Sequence, residues 1–237
     1  MLLPKLFPLS SGDQDGYAAM CSNYFPTRSR ERLTAFGIQP EFDLAGSGRV
    51  WKSYAAPMVR LNGEGRELIL GEFGLLPFWS KERKTKYATF NARSETVETT
   101  ASFKGPWAKR QRCIIPADFV VEPDWRSTKN VPTAISRADG QPMGLAGLWD
   151  CWTDRATGEI VFSFTMLTIN ADSNELMKHF HRPDDEKRMV TILPEAHYGD
   201  WLSLPNPDAK SLLVSYPAEA LQACPVADLG SRDGDVR

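Results

Sequence analysis

Arg112-Cys113-Ile114-Ile115-Pro116-Ala117-Asp118-Phe119-Val120-Val121-Glu122 decides the fold. Its β-branched and aromatic residues read as two strands, Arg112 to Ile115 and Phe119 to Glu122, either side of Pro116-Ala117-Asp118. Further strands are predicted at Cys21 to Tyr24, Val50 to Tyr54, Met58 to Leu61 and Tyr87 to Asn91. Asn62-Gly63 is a hairpin turn leading into Glu67 to Phe73. Toward the C-terminus, Thr133 to Ser136, Met143 to Trp152, Val161 to Thr168 and Met189 to Leu193 add four more strands. Helices are few. Thr27 caps one through about Phe36, with Leu33 and Phe36 facing inward. Residues 98–111 are helical or irregular, and Asp172-Ser173-Asn174-Glu175 is a capping box opening a helix to about Phe180. Pro194 to Leu202 and Asp208 to Leu213 are short helices. Many short strands with few helices predict a strand-rich α+β domain.

The chain has 237 residues, 42% of them hydrophobic, with 7 Trp, which is enough for one sizeable core in one domain. A net charge of -2 excludes a globally basic nucleic-acid binder but leaves room for a local basic face. Cys21, Cys113, Cys151 and Cys224 form no paired framework, and the histidines are His179, His181 and His197. That argues against a structural zinc site and for a reducing cytoplasm. No metal and no cofactor are implied. No run of about 18 apolar residues exists, so no membrane span is expected. Two prolines interrupt the apolar start, and its lone Lys5 lies inside that stretch, which argues against a secretory leader. Residues 1–19 read as an extension outside the fold or removed, 20–228 as one domain and 229–237 as a disordered tail.

Several residues could carry chemistry. Cys21 directly follows Met20; freed at an N-terminus, its amine and thiol would together condense with an aldehyde to a thiazolidine. An α-amine titrates near pH ~7.7–8.0, so much of it is a neutral nucleophile in the cell. Most cysteines, though, are small buried hydrophobes. Glu122 ends the apolar run Phe119-Val120-Val121, where partial desolvation would suit it to proton transfer; a surface Glu at a strand end is the competing reading. His181 precedes Pro183 and could shuttle protons, or else bind the last carbonyls of a helix, and His179 competes for the role. Asn91 and Arg93 lie two apart, on one face of a strand, where an amide and a guanidinium could clamp a sugar hydroxyl and a phosphate; a turn Asn beside a solvated Arg is the alternative. Phe78-Trp79-Ser80-Lys81-Glu82-Arg83-Lys84-Thr85-Lys86 and Trp107-Ala108-Lys109-Arg110-Gln111-Arg112 interleave cations with aromatics, as sequence-tolerant single-strand binding requires, although charge runs are commonly solvated faces.

Together, Met20-Cys21, Phe90 to Thr96, Arg112 to Glu122, His181 to Val190, Gly74-Leu75-Leu76-Pro77-Phe78-Trp79 and Ala146-Gly147-Leu148-Trp149-Asp150 closely resemble the SOS-response-associated peptidase (SRAP) family, whose members crosslink to abasic sites in DNA. The resemblance runs in order from residue 20 to about 195. It implies a single domain of curved, mostly antiparallel sheets forming an open barrel-like core with short flanking helices. It implies catalytic roles for Cys21, Asn91, Glu122 and His181, with Glu122 and His181 serving the proton transfers. It implies a DNA-backbone contact from Arg93 and a Pro77-Phe78-Trp79 loop wedged against bases; Lys81, Arg83, Lys84 and Arg112 of the interleaved runs, together with Arg188, are the other expected DNA contacts. Family members carry the cysteine directly after the initiator Met, whereas here Cys21 follows 20 residues, and Ser22-Asn23 replaces the usual Gly-Arg.

The reading is therefore an abasic-site sensor for single-stranded DNA in DNA repair and the SOS response. It would have a cysteine-type autopeptidase step, a possible lyase step and no cofactor, as a monomer in the cytoplasm, nucleoid-associated if bacterial. A cysteine or N-terminal-nucleophile hydrolase, marked by peptide cleavage without DNA, is the first alternative. A noncovalent single-strand-binding module, in which Cys21 is incidental, is the second.

Overall fold

The computed structural model describes residues 23–46, 48–63, 65–83, 87–127 and 129–229. Cys21, Lys84, the expected extension and residues 230–237 of the expected tail lie outside the described residues. The strands are β1 (Asn23–Pro26), β2 (Val50–Trp51), β3 (Ala55–Asn62), β4 (Gly65–Phe73), β5 (Asn91–Arg93), β6 (Arg112–Asp124), β7 (Val131–Arg137), β8 (Met143–Thr153), β9 (Ile160–Asn170), β10 (Arg188–Val190), β11 (Ile192–Leu193) and β12 (Leu221–Pro225). The helices are α1 (Arg30–Leu33), α2 (Lys104–Ala108), α3 (Tyr198–Ser203) and α4 (Asn206–Ser211). Among the described residues no helix is long and apolar enough to cross a membrane.

The strand-rich α+β expectation holds, and the barrel core closes. β6 pairs with β8, β8 with β9, β9 with β4, β4 with β3, and β3 returns to β6 through Val59 and Ile114. Most pairings are antiparallel; β4–β9 and β5–β9 are parallel. β6, β8 and β9 are buried along most of their length on both faces. Cys113 and Ile115 join one buried cluster with Met58, Phe73, Phe164 and Met166, while Ile114 joins a second with Val59, Leu148, Leu167 and Trp201. Strand alternation thus splits one apolar run between two cores. The Trp201 indole N–H locks α3 to β6 by donating to the Cys113 carbonyl at 2.9 Å.

The two strands expected around Pro116 are a single strand of 13 residues. Proline lacks an N–H but here stands where the ladder changes partners. Residues up to Ala117 pair with β8, and from Ala117 onward β6 pairs with β1 and then β7. The Asn62-Gly63 hairpin forms as expected, with Asn62 opposite Gly65.

Other expectations are corrected. Thr27 caps no helix: it is fully buried and its hydroxyl donates to the Asp118 carboxylate at 2.8 Å. The Asp172 capping box is absent. Instead the Asn174 side-chain oxygen accepts from the Leu176 and Met177 amides, heading only a short 3₁₀ turn, Met177–His179. Tyr87 to Phe90 is not strand, and β5 starts at Asn91. The strand expected from Met189 to Leu193 divides at Thr191, so that β10 pairs with β9 and β11 with β8. β12, which no periodicity announced, adds to β7.

Gly147 is fixed by this closure. A Cβ there would lie 2.7 Å from Ile115 Cδ1 and 2.8 Å from the Thr165 carbonyl oxygen. Gly147→Ala should therefore cost about 1–3 kcal/mol, because the backbone clash leaves no rotamer escape. Urea unfolding should show a lower midpoint at an unchanged slope.

Candidate functional site

β6 runs past the barrel and carries Glu122 to its far end, where the side chain is 1% exposed. Val121, just before it, pairs with Asn23, the first described residue of β1. On the other side, Asp124 forms an isolated bridge with Phe180, and the His181 amide donates to the Pro123 carbonyl at 3.0 Å. This clamp holds His181 at a positive φ of 66°, a conformation non-glycine residues avoid. Its ring turns inward and is almost fully buried. His181 Nε2 lies 2.9 Å from the Arg188 carbonyl oxygen and 3.7 Å from Glu122 Oε2. A carbonyl only accepts, so the Arg188 contact places a proton on Nε2, directed beside the Glu122 carboxyl.

Asn91 and Arg93 sit two apart on β5, paired to Met166 and Thr168 of β9. Asn91 is buried, whereas the Arg93 side chain is 47% exposed. Arg93 Nη1 donates to Glu186 at 2.6 Å, and the same carboxylate accepts from Arg188 Nη1 at 2.9 Å. Arg188, 2% exposed, also pairs with both oxygens of Glu95 and donates to the Thr168 carbonyl. Glu122, His181, Arg188, Glu186 and Arg93 therefore form a continuous chain of contacts, with Asn91 next along β5. The Arg188 hydrogen bonds hold the Glu95 carboxyl below the usual carboxylate range.

The Gly74-to-Trp79 segment forms a braced loop. Leu76 N–H donates to Ser163 Oγ and Phe78 N–H donates to the buried Asp150 carboxylate at 2.9 Å. Burial raises the Asp150 carboxyl, against those stabilising amides. Pro77 is buried, while Phe78 and Trp79 are half exposed, with the Lys109 ammonium 4.3 Å from the Phe78 ring. Lys81 is exposed, and Arg83 is paired to Glu72 and Glu159, which raises its pKa.

Arg112 is a correction. It stands at the barrel end of β6, far along the strand from Glu122, and is 2% exposed. It stacks over Trp201 and donates to the Asn206 side chain and the Leu204 carbonyl, and burial pushes its pKa down to about 10. It ties α4 to the barrel and offers no open face to a phosphate.

Sequence reasoning gave no role to Asp150, Glu186 or Glu95, nor to Trp51 with Arg49 stacked 5.6 Å from its ring. Trp51 is 43% exposed and pairs with Asn23 beside the Glu122 end. Its signal was the same basic–aromatic interleaving that marked Phe78-Trp79. Cys113 and Cys151 are desolvated, which raises both thiols and leaves them poor nucleophiles. Among the described residues no cluster of His, Cys, Asp or Glu could hold a metal ion.

A family model described as SOS response associated peptidase (SRAP) matches residues 20–229. The chain belongs to the SRAP family. Abasic site processing protein YoaM of Bacillus subtilis is 32% identical over 81% of this chain and 79% of its own length. YoqW of the same organism, also named an abasic site processing protein, is 33% identical over 80% of this chain and 83% of its own. A crystal structure of a protein from Bordetella bronchiseptica superposes with a TM-score of 0.80 at 43% identity, covering 87% of this chain and 99% of that one. In this SRAP chain the closed barrel is thus a family fold, and the Glu122–His181 pair lies where a matched motif meets β1.

The depressed Glu95 carboxyl gives a signed pH dependence. Its folded-state pKa lies below its ordinary 4.5, so the stability it contributes is present above that value and lost as pH falls through the folded value. Glu95→Gln should therefore flatten the acid limb of stability. Urea midpoints followed from roughly pH 3 to pH 7 would read this as a smaller wild-type-minus-variant difference at the acid end.

Proposed function

We propose that this chain senses abasic sites in single-stranded DNA and captures them covalently through Cys21, in DNA repair and the SOS response. The observation that carries the reading is the buried Glu122–His181 pair at 3.7 Å beside the start of β1, two residues after Cys21. Relatives named as abasic site processing proteins support the substrate.

The chemistry needs a free Cys21 amine, so Met20 and the residues before it must be removed, in a cysteine-type autopeptidase step. An abasic deoxyribose opens to an aldehyde at C1′. The Cys21 nitrogen attacks that carbon, water leaves, and a Schiff base results. The thiol sulfur then adds to the imine carbon, its proton passes to nitrogen, and the thiazolidine closes. One aldehyde and one aminothiol give one ring and one water, with no redox partner. Holding the three groups together makes the ring closure effectively intramolecular. Glu122 and His181 would handle the protons of addition, dehydration and sugar opening. Asn91 would orient the sugar. Arg93, Arg188, Lys81, Arg83 and Lys84 would meet phosphates, while Phe78 and Trp79 stack on flanking bases. An imine that failed to close could instead support strand cleavage, the possible lyase step. The chain would act as a monomer in the cytoplasm, on the nucleoid in a bacterium.

Intact-protein mass spectrometry before and after incubation with a single strand carrying one abasic site tests the reading. The expected result is a mass beginning at Cys21 and a denaturation-stable adduct that Cys21→Ala abolishes. Glu122→Gln should slow adduct formation by roughly 10²–10⁴-fold, the usual worth of a general acid–base. An uncleaved chain with no adduct would overturn the reading. A thiol, an imidazole and a carboxyl together also suit a hydrolase, and peptide cleavage in trans without DNA would favour that reading instead.

A further inference from the structure

The Glu186 carboxylate is placed unusually. Its two oxygens each accept from a different guanidinium, Oε2 from Arg93 at 2.6 Å and Oε1 from Arg188 at 2.9 Å. Two arginines aimed at one point form a receptor for an anion with two acceptor oxygens, such as a phosphodiester. Arg188 is 2% exposed and locked by Glu95 and by the Thr168 carbonyl, so half of that receptor is built into the fold. Glu186 is 40% exposed and belongs to the strandless stretch between His181 and β10. It can swing out to water without breaking a ladder.

We infer that Glu186 is a resident carboxylate filling the phosphate position between Arg93 and Arg188, so that a DNA strand must displace it to bind. This rests on the DNA-binding reading above. The Arg93–Glu186 contact is solvent-exposed on both sides and of modest strength, and Arg188, when it gives up Glu186, keeps its bonds to Glu95 and the Thr168 carbonyl, so a strand can win the competition. The effect is a filter. A weakly held polyanion gains little over Glu186, whereas a strand caught covalently at an abasic site needs only a brief displacement. Noncovalent affinity is lowered for every strand, and retention is left to the covalent step.

Fluorescence anisotropy with a short labelled single strand lacking an abasic site isolates noncovalent binding. At low salt, Glu186→Gln should bind about two- to ten-fold more tightly than wild type, the range of an exposed ion pair and one removed repulsion. Asp184→Asn removes the same charge from the same stretch without touching Arg93, and should gain less. In an Arg93→Ala background the Glu186→Gln gain should vanish. Thermal midpoints of each variant would show that the fold is retained, with Glu186→Ala as a second variant should Glu186→Gln be destabilised. An unchanged or weakened affinity in Glu186→Gln overturns the inference while leaving DNA binding intact. So does an equal gain in Asp184→Asn, or a gain that persists without Arg93. If neither wild type nor any variant binds the strand, the DNA reading itself falls, and this inference with it.

Discussion

Closure of the barrel by β6 is the constraint on which the rest depends. The first half of β6 pairs with β8 and touches β3, completing a ring of five strands. A closed ring has no edge to slip along, so the register of β6 is fixed where its hydrophobic residues divide between two cores. The second half leaves the ring in that same register. The position of Glu122 is therefore set by pairs such as Cys113 with Gly147, many residues upstream. Pro116 is tolerated because it falls at the handover between partners, not because the strand ends there.

The site is assembled from elements that are short and weakly ordered by themselves. β5 and β10 have three residues each and gain their placement from β9. His181 follows a single 3₁₀ turn and is held at its unfavourable φ by contacts to Pro123 and by the Asp124–Phe180 bridge. Long barrel strands supply rigidity, and loops leaning on them supply the functional groups. The charges follow the same division. Arg112, inside the fold, donates from its two terminal nitrogens to neutral acceptors and lies over an indole face, whereas the carboxylates facing Arg93 and Arg188 are exposed and can be exchanged.

Much was legible in the chain. Apolar runs such as Cys113-Ile114-Ile115 and the Asn62-Gly63 turn announced strands and a hairpin. The ordered motifs around Arg93, Glu122 and His181 marked residues that the fold joins in one chain of contacts, with Asn91 two residues from Arg93 on the same strand. Helices were less legible. Thr27 and Asp172 look like caps, but Thr27 found a tertiary partner in Asp118 across the domain, and the local capping role fell to Asn174, two residues beyond Asp172. Arg112 looked like a phosphate contact because a basic run does not reveal which cation lies under a tryptophan. Asp150 gave no signal as a support, since its partner, the Phe78 amide, is 72 residues away.

The sequence by itself determined the strand-rich composition, the two-sided apolar strands, the turn residues and the identity of the groups able to do acid–base and anion chemistry. These follow from local periodicity and side-chain type, which need no partner. Only the tertiary structure decided that the barrel closes, that β6 is one strand, and that Glu122 meets His181. It alone decided that Glu186 stands between Arg93 and Arg188. Each of those depends on which distant segments share a ladder or a salt bridge, and long-range pairing is a property of the folded chain rather than of any window within it.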